Sequence, residues 1–279
     1  MIPKVIYQSW KTLELPNGIR ENVEHIKKMN PEYDYFLYDD EMCREFLLQH
    51  FGKSFVQAFD SILYGAFKCD FWRYAVLYVN GGVYMDIDIG LLTPLKNIIN
   101  NSSFISVLED DNKKILFSPK LRVYQAFFAC TPKHPIVYTA LMMSYYNLLG
   151  KQSEIFENLS ITGPVVMANA VNLYLGNDSF EKIKTGTMFT TDGEYIYNTK
   201  GHEIMRNKIE GYEPVHDYRL RLQIYKNDPR YRYKQNLFKI VVGILIVLLI
   251  CFLLFLYYRR KYIICSSSKS SSLSHYKVK

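Results

Sequence analysis

The sequence predicts an α/β domain with a mostly parallel central sheet, followed by one membrane-crossing helix. Three observations carry this. Ahead of the long apolar run, the apolar period switches repeatedly between the strand and helix patterns, as βα units require. Residues 66–89, AFKCDFWRYAVLYVNGGVYMDIDI, join an amphipathic helix to a β-branched strand through a glycine turn. Between Lys239 and Arg259 there is no charged residue.

The central stretch organises the rest. Phe67, Phe71, Tyr74, Leu77 and Tyr78 recur at helical spacing, and Asn80-Gly81-Gly82 ends that helix. The run 83–89 alternates as a strand, which puts Asp86 and Asp88 on one side of it. Neighbouring carboxylates repel unless a cation or a shared proton neutralises them, so the pair suits a hard divalent metal. On the helix, Asp70 and Arg73 are three apart and share a face. As a surface ion pair they would contribute little. In the other reading Asp70 binds a sugar or ribose hydroxyl and Arg73 an anionic oxygen.

Together Asp70, Arg73, Tyr84, Asp86 and Asp88 resemble the signature of the DXD sugar-nucleotide transferases, specifically glycosyltransferase family 32. That family includes the fungal initiating α-1,6-mannosyltransferase and the mannosyl-inositol-phosphoceramide synthases. The resemblance implies a GT-A-like nucleotide-sugar-binding domain and a nucleoside-diphosphate sugar donor, GDP-mannose being favoured. It also implies Mn²⁺ or Mg²⁺ on Asp86 and Asp88, transfer with retention, and a glycan or lipid-linked acceptor. The opening Ile2-Pro3-Lys4-Val5-Ile6-Tyr7-Gln8-Ser9-Trp10-Lys11-Thr12 looks like the family's first strand and turn, with Tyr7 where the family usually has His. Trp10 then either stacks on the nucleotide base or plugs the core at the strand end.

The elements follow in order. A helix over 17–29 has Val23 and Ile26 inward, with Asn17 as its cap. A strand over 33–38 leads to Asp39-Asp40, which cap a helix over 41–50. A second amphipathic helix covers 54–64, ahead of the central element. In such sheets ligands sit beyond the carboxyl ends of the strands, where Asp86 and Asp88 fall. Strands over 104–108 and 123–130 and a helix over 136–149 come next. Gln125 stands near the family's usual Asn. Thr162-Gly163-Pro164 opens a further helix, and Gly163 would let a phosphate or sugar approach the backbone. Farther on the family closes its site with a His- and Trp-rich segment. This chain has Pro214-Val215-His216-Asp217-Tyr218 and no tryptophan there, leaving His216 as the expected third metal or diphosphate ligand, or else a surface histidine.

The run 240–258, IVVGILIVLLICFLLFLYY, is nineteen residues long. At ~1.5 Å per residue it spans roughly 28 Å, the thickness of the hydrocarbon core. The expected organisation is a transferase domain over 1–236, a transmembrane helix over 237–258 and a disordered Ser-rich basic tail over 259–279. With 279 residues, 49% apolar and 22% charged, the composition is that of a globular protein. Net charge is +7, with basic residues concentrated toward the C-terminus, which suits anionic lipid rather than nucleic acid. The five cysteines have no disulfide or metal spacing.

The expectation is thus a single-pass endomembrane protein with a C-terminal anchor. Lacking an N-terminal signal, its catalytic domain is expected on the cytosolic face, the lumenal face being the alternative. Two other functions are weighed against transfer. A metal-dependent phosphohydrolase would need further acids near a second metal, and only Glu109-Asp110-Asp111 is available. A catalytically inactive membrane-bound sugar-binding or scaffold protein is the remaining alternative.

Overall fold

The computed structural model describes residues 1–99, 101–109, 123–150, 161–175, 188–191, 195–198, 200–209 and 239–256. Two units are distinguished, Met1–Pro214 and Val215–Lys279.

In the first unit, β1 (Val5–Ser9) leads to α1 (Asn17–Met29), which buries Ile19, Asn22, Val23 and Ile26 along one stripe. Pro16 rather than Asn17 occupies the cap position of α1. After β2 (Asp34–Tyr38), α2 (Asp40–Phe51) opens as expected: the Asp39 carboxylate accepts from the Met42 N–H at 2.9 Å. Then come α3 (Lys53–Asp60), α4 (Gly65–Asn80), β3 (Gly82–Met85) and β4 (Gly90–Leu91). The chain continues through β5 (Phe104–Glu109), β6 (Val123–Cys130), α5 (Pro135–Gly150) and α6 (Pro164–Leu175). It closes with β7 (Met188–Thr191), β8 (Tyr195–Tyr197) and β9 (Glu203–Arg206).

Among the described residues these strands form one sheet in the order β2-β1-β3-β6-β5-β7-β8-β9-β4. Pairing is parallel over β2–β1–β3 and at β5–β7; β6 runs antiparallel between β3 and β5. The three-stranded parallel block is the part that carries the candidate site. Side chains alternate across the sheet as the two-residue period demands. Tyr7, Tyr84, Phe128 and Cys130 join a core built with α2 to α6. Ile6, Val83, Met85, Phe127 and Ala129 face the other way, onto a core that includes Ile26 of α1 and Met205 of β9.

The innermost helix is α4. Phe71, Trp72, Tyr74, Ala75, Val76 and Leu77 are all fully buried, so it is enclosed around most of its circumference rather than on one stripe. Burying each of its large side chains contributes about 1.5–3 kcal/mol. The glycines after it serve two ends. Gly81, at φ 67°, caps the helix, and Gly82, at φ 102°, begins β3 against β1. A Cβ on Gly82 would lie 2.8 Å from the Val5 carbonyl oxygen, and one on Gly81 would lie 2.6 Å from Pro132.

The second unit contributes one described helix, Lys239–Leu256, uncharged after its first residue and solvent-exposed along its length. By length and composition this helix could cross a membrane. His216, the remainder of 210–238 and the tail 259–279 lie outside the described residues.

Gly82→Ala should destabilise the domain by at least about 2 kcal/mol, since left-handed strain and backbone overlap add. Gly18→Ala, inside α1 with nothing within 4 Å of the new Cβ, should be neutral or stabilising by up to about 1 kcal/mol. Chemical denaturation of the two variants beside the parent checks both signs.

Candidate active site

β1 and β3 are parallel neighbours, so Ser9, Trp10 and Asp86 emerge at the same edge of the sheet. The strand expected over 83–89 stops at Met85. One more ladder bond follows, from the Asp86 N–H to the Ala126 carbonyl at 2.7 Å. The Ile89 N–H then donates back to the Asp86 carbonyl at 3.1 Å and closes a turn. Asp86 and Asp88 therefore sit in a turn at the carboxyl end of β3, not on one strand face. The cause is α1. The Asn22 side-chain amide donates to the carbonyls of Ile87 at 3.0 Å and Ile89 at 2.8 Å, taking acceptors that a strand would offer its neighbour. The Ile209 N–H takes the Asp88 carbonyl at 2.9 Å, and Gln8, itself held by the Tyr35 hydroxyl, donates to the Asp86 carbonyl at 3.2 Å. Ile87 and Ile89 are buried, and the aspartates that alternate with them are partly exposed.

Behind the turn lies Arg73, 3% exposed, and Asp70, 5% exposed. The reading of these two as a surface ion pair fails on that burial. One guanidinium nitrogen of Arg73 is 3.0 Å from Asp86 Oδ1 and 3.1 Å from Asp70 Oδ1. The other terminal nitrogen donates to the Gln125 carbonyl at 2.9 Å, and the guanidinium lies over the Tyr84 ring, 4.4 Å from its centroid. Among the described residues no acceptor meets the buried Arg73 Nε. Asp86 Oδ1 also accepts the Tyr84 hydroxyl at 2.5 Å. Asp70 Oδ1 accepts the Gln125 amide at 2.6 Å, and Oδ2 accepts the Thr162 hydroxyl at 3.3 Å. Every contact of Asp70 is thus a donor, the surroundings of an ionised carboxylate.

The charges respond to this packing. Burial pushes the Asp70 carboxyl up to about 6; Arg73 pulls it down less strongly, and the Asp86 charge adds to the rise. Burial also raises Asp88 to about 6, and the neighbouring Asp86 charge adds to the rise. Burial opposes the charge on Arg73, but the surrounding negative groups, led by Asp86, outweigh it and keep the guanidinium ionised.

The donor set fits a divalent cation. Asp86 Oδ2 accepts no hydrogen bond among the described residues, and Asp88 is a second carboxylate whose ionisation is disfavoured by the first. A hard cation between them would relieve that repulsion, with water or ligand oxygens completing the coordination. No group of three or more such ligands occurs among the described residues.

The other expected site residues fall as follows. Tyr84 is the hydroxyl donor to Asp86, and it also meets the Cys69 thiol at 2.8 Å, which in turn meets Ser9 Oγ at 2.8 Å. Trp10 is half-buried and packs on the cluster of Ile19, Val23 and Ile87. Gly163 is buried and its carbonyl accepts from the Tyr74 hydroxyl at 3.4 Å; Tyr74 also donates to Gln125 Oε1 at 2.6 Å. His216 is outside the described residues. Sequence reasoning passed over Asn22, although an amide on the inward stripe of an amphipathic helix is a signal that some backbone group needs it. It passed over Thr162 and Tyr74 as well, and it gave Gln125 no structural part. Their partners come from distant segments that no local pattern connects.

Residues 16–105 match the glycosyltransferase sugar-binding region containing a DXD motif. The DXD region takes in Asn22, Asp70, Arg73, Asp86 and Asp88, but neither β1 nor Gln125. The chain is 33% identical over 143 residues to inositol phosphoceramide mannosyltransferase 1 of Schizosaccharomyces pombe, across 50% of this chain and 42% of that one. It is 26% identical over 223 residues to a mannosyl phosphorylinositol ceramide synthase of Saccharomyces cerevisiae, across 76% of this chain and 59% of that one. The chain spans about half the length of these curated relatives. The PaToxG glycosyltransferase is a solved structure that aligns with TM-score 0.46 and 20% identity, over 62% of this chain and 70% of that one.

Asn22→Ala should cost about 2 kcal/mol, since two buried carbonyls lose their donor. Denaturant unfolding reads the loss. Asn22→Asp should not restore it, because an ionised carboxylate cannot donate.

Proposed function

We propose that the chain is a membrane-anchored, metal-dependent retaining glycosyltransferase that moves a hexose, with mannose favoured, from a nucleoside-diphosphate sugar. The acceptor in this reading is a hydroxyl of a glycan or glycolipid. The observation that carries it is the buried Arg73 shared between Asp70 and the first acid of the DXD turn. The nearness to inositol phosphoceramide mannosyltransferases supports mannose and a lipid-borne acceptor. The helix Lys239–Leu256 supports the anchor.

Asp86 and Asp88 would hold Mn²⁺ or Mg²⁺, with His216 a further proposed ligand. When bound, that cation supplies Lewis-acid stabilisation of the departing diphosphate. The chain's own groups do the rest. Arg73 supplies a fixed positive charge that is already oriented, so little reorganisation accompanies bond breaking. Tyr84 and Arg73 both occupy Oδ1 of Asp86, which leaves Oδ2 for the cation side. Asp70 Oδ2, which among the described residues accepts just the 3.3 Å contact from Thr162, is the oxygen with capacity for a donor-sugar hydroxyl. Gln125 keeps Asp70 in place through Oδ1. Trp10, packed on the cluster that includes Ile87, stands at the sheet edge where a nucleotide base would stack, and Gly163 would let a phosphate or sugar approach the backbone. In a retaining transfer of this kind the acceptor hydroxyl attacks from the leaving-group face, and no protein nucleophile is required.

Hydrolysis and transfer of GDP-mannose with Mn²⁺ test the proposal. Asp86→Asn and Asp88→Asn should each lower kcat by about 10²–10³-fold with the fold retained. Turnover that persists in excess chelator would remove the metal from the mechanism. Binding of the donor with no turnover at all would instead identify a sugar-binding protein.

A pH profile gives a second check. Asp70 is the stronger acceptor for a hydroxyl when ionised, and burial pushes its carboxyl up to about 6. On the acid side kcat/KM should therefore fall through pH about 6, rather than near the 4 of an ordinary carboxylate. Arg73→Lys should not restore the parent profile, because an ammonium cannot span Asp70, Asp86 and the Gln125 carbonyl together.

A further inference from the structure

Helices α5 and α6 carry no charged residue: PIVYTALMMSYYNLLG and PVVMANAVNLYL. They pack antiparallel, since Asn147 near the end of α5 donates to the Ile161 carbonyl just before α6, while Tyr174 near the end of α6 approaches His134 at the start of α5. Their inner sides are core, through Val137, Leu141, Leu148, Met167 and Val171. Their outer sides are also apolar. Tyr138, Tyr146 and Leu149 lie on one stripe of α5 and are exposed, Tyr146 to 62%; on α6, Leu173 and Tyr174 are exposed to 67% and 56%. A helix pair on the surface of a water-soluble domain ordinarily turns charged residues outward, and an uncharged pair with several large apolar side chains exposed calls for something to cover it.

We propose that this α5–α6 face rests in the interfacial layer of the lipid bilayer that holds the helix Lys239–Leu256. The inference depends on reading that helix as a membrane anchor. Three observations select a bilayer over another occupant. Tyrosine, which supplies three of the five exposed side chains, favours the headgroup boundary, where its ring is apolar and its hydroxyl wet. At the rim, Lys133 lies over the Tyr78 ring at 4.4 Å, and Tyr78 in turn meets Tyr138 at 5.1 Å. Neither helix has an acid to repel anionic headgroups. Contact through this face would hold the donor site at a fixed height over lipid-borne acceptors.

The test uses the full chain reconstituted in phosphatidylcholine–phosphatidylserine vesicles. Tyr146→Trp and Leu173→Trp place reporters on the face, and Phe36→Trp, on the exposed side of β2, is the control. Native Trp10 and Trp72 give the background, which the parent chain measures. Lipids brominated on their acyl chains should quench the added emission at positions 146 and 173 by at least half and leave position 36 unchanged. Quenching at 146 and 173 no greater than at 36 overturns the proposal, whether the face is bare or, as cross-linking between copies would show, covered by a second chain. Resistance to alkaline carbonate extraction reads the anchor separately. An extraction-resistant chain without quenching keeps the anchor and rejects the face; quenching on an extractable chain keeps the face and rejects the anchor.

Discussion

A guanidinium excluded from water has to be compensated on the spot, and the architecture around Arg73 follows from that constraint. Removing one partner of a buried pair costs about 3–5 kcal/mol, because the other charge is left stranded. Arg73 answers it with one acid from its own helix and one from the far end of the next strand. The glycine turn between them must therefore be short and tightly placed, which is why Gly81 and Gly82 press against Pro132 and Val5. Gln125 adds the third strand to the arrangement by offering its carbonyl to Arg73 and its amide to Asp70. Helix, strand and neighbouring strand are thereby fixed to one another at the point where ligand would arrive.

Much of this was legible in the sequence. The period of α4, the glycine stop, the Asp39 cap and the strand over 123–130 are local, and local physics is what a sequence displays directly. The pairing of Asp70 with Arg73 was visible as spacing, but its burial was not. The spacing leaves solvent exposure open, and α4 proved to be enclosed on nearly all sides. The strand over 83–89 misled for a related reason. Its apolar alternation is genuine, but α1 claims the carbonyls of Ile87 and Ile89 and bends the segment into a turn. Nothing within 83–89 encodes that; the cause is an asparagine more than sixty residues earlier.

The site also shows how rigid and adaptable parts are divided. Asp86 has one oxygen committed to Tyr84 and Arg73, and its position is set by the protein. Asp88 shares the turn but owes its raised carboxyl to burial and to Asp86, so its charge state depends on what arrives. A fixed acid beside a responsive one suits the capture of a cation together with its phosphate ligand.

The order of the strands has a consequence for anyone wishing to isolate the donor site. The matched segment 16–105 omits β1, yet β1 lies between β2 and β3 and pairs with both. It omits β6 as well, the neighbour on the other side of β3. A polypeptide cut at those limits would bring β2 and β3 together without the strand that separates them, and each would expose an open hydrogen-bonding edge. The matched segment is thus a unit of recognition between sequences rather than a unit of folding, and excision at its borders would yield an aggregating fragment.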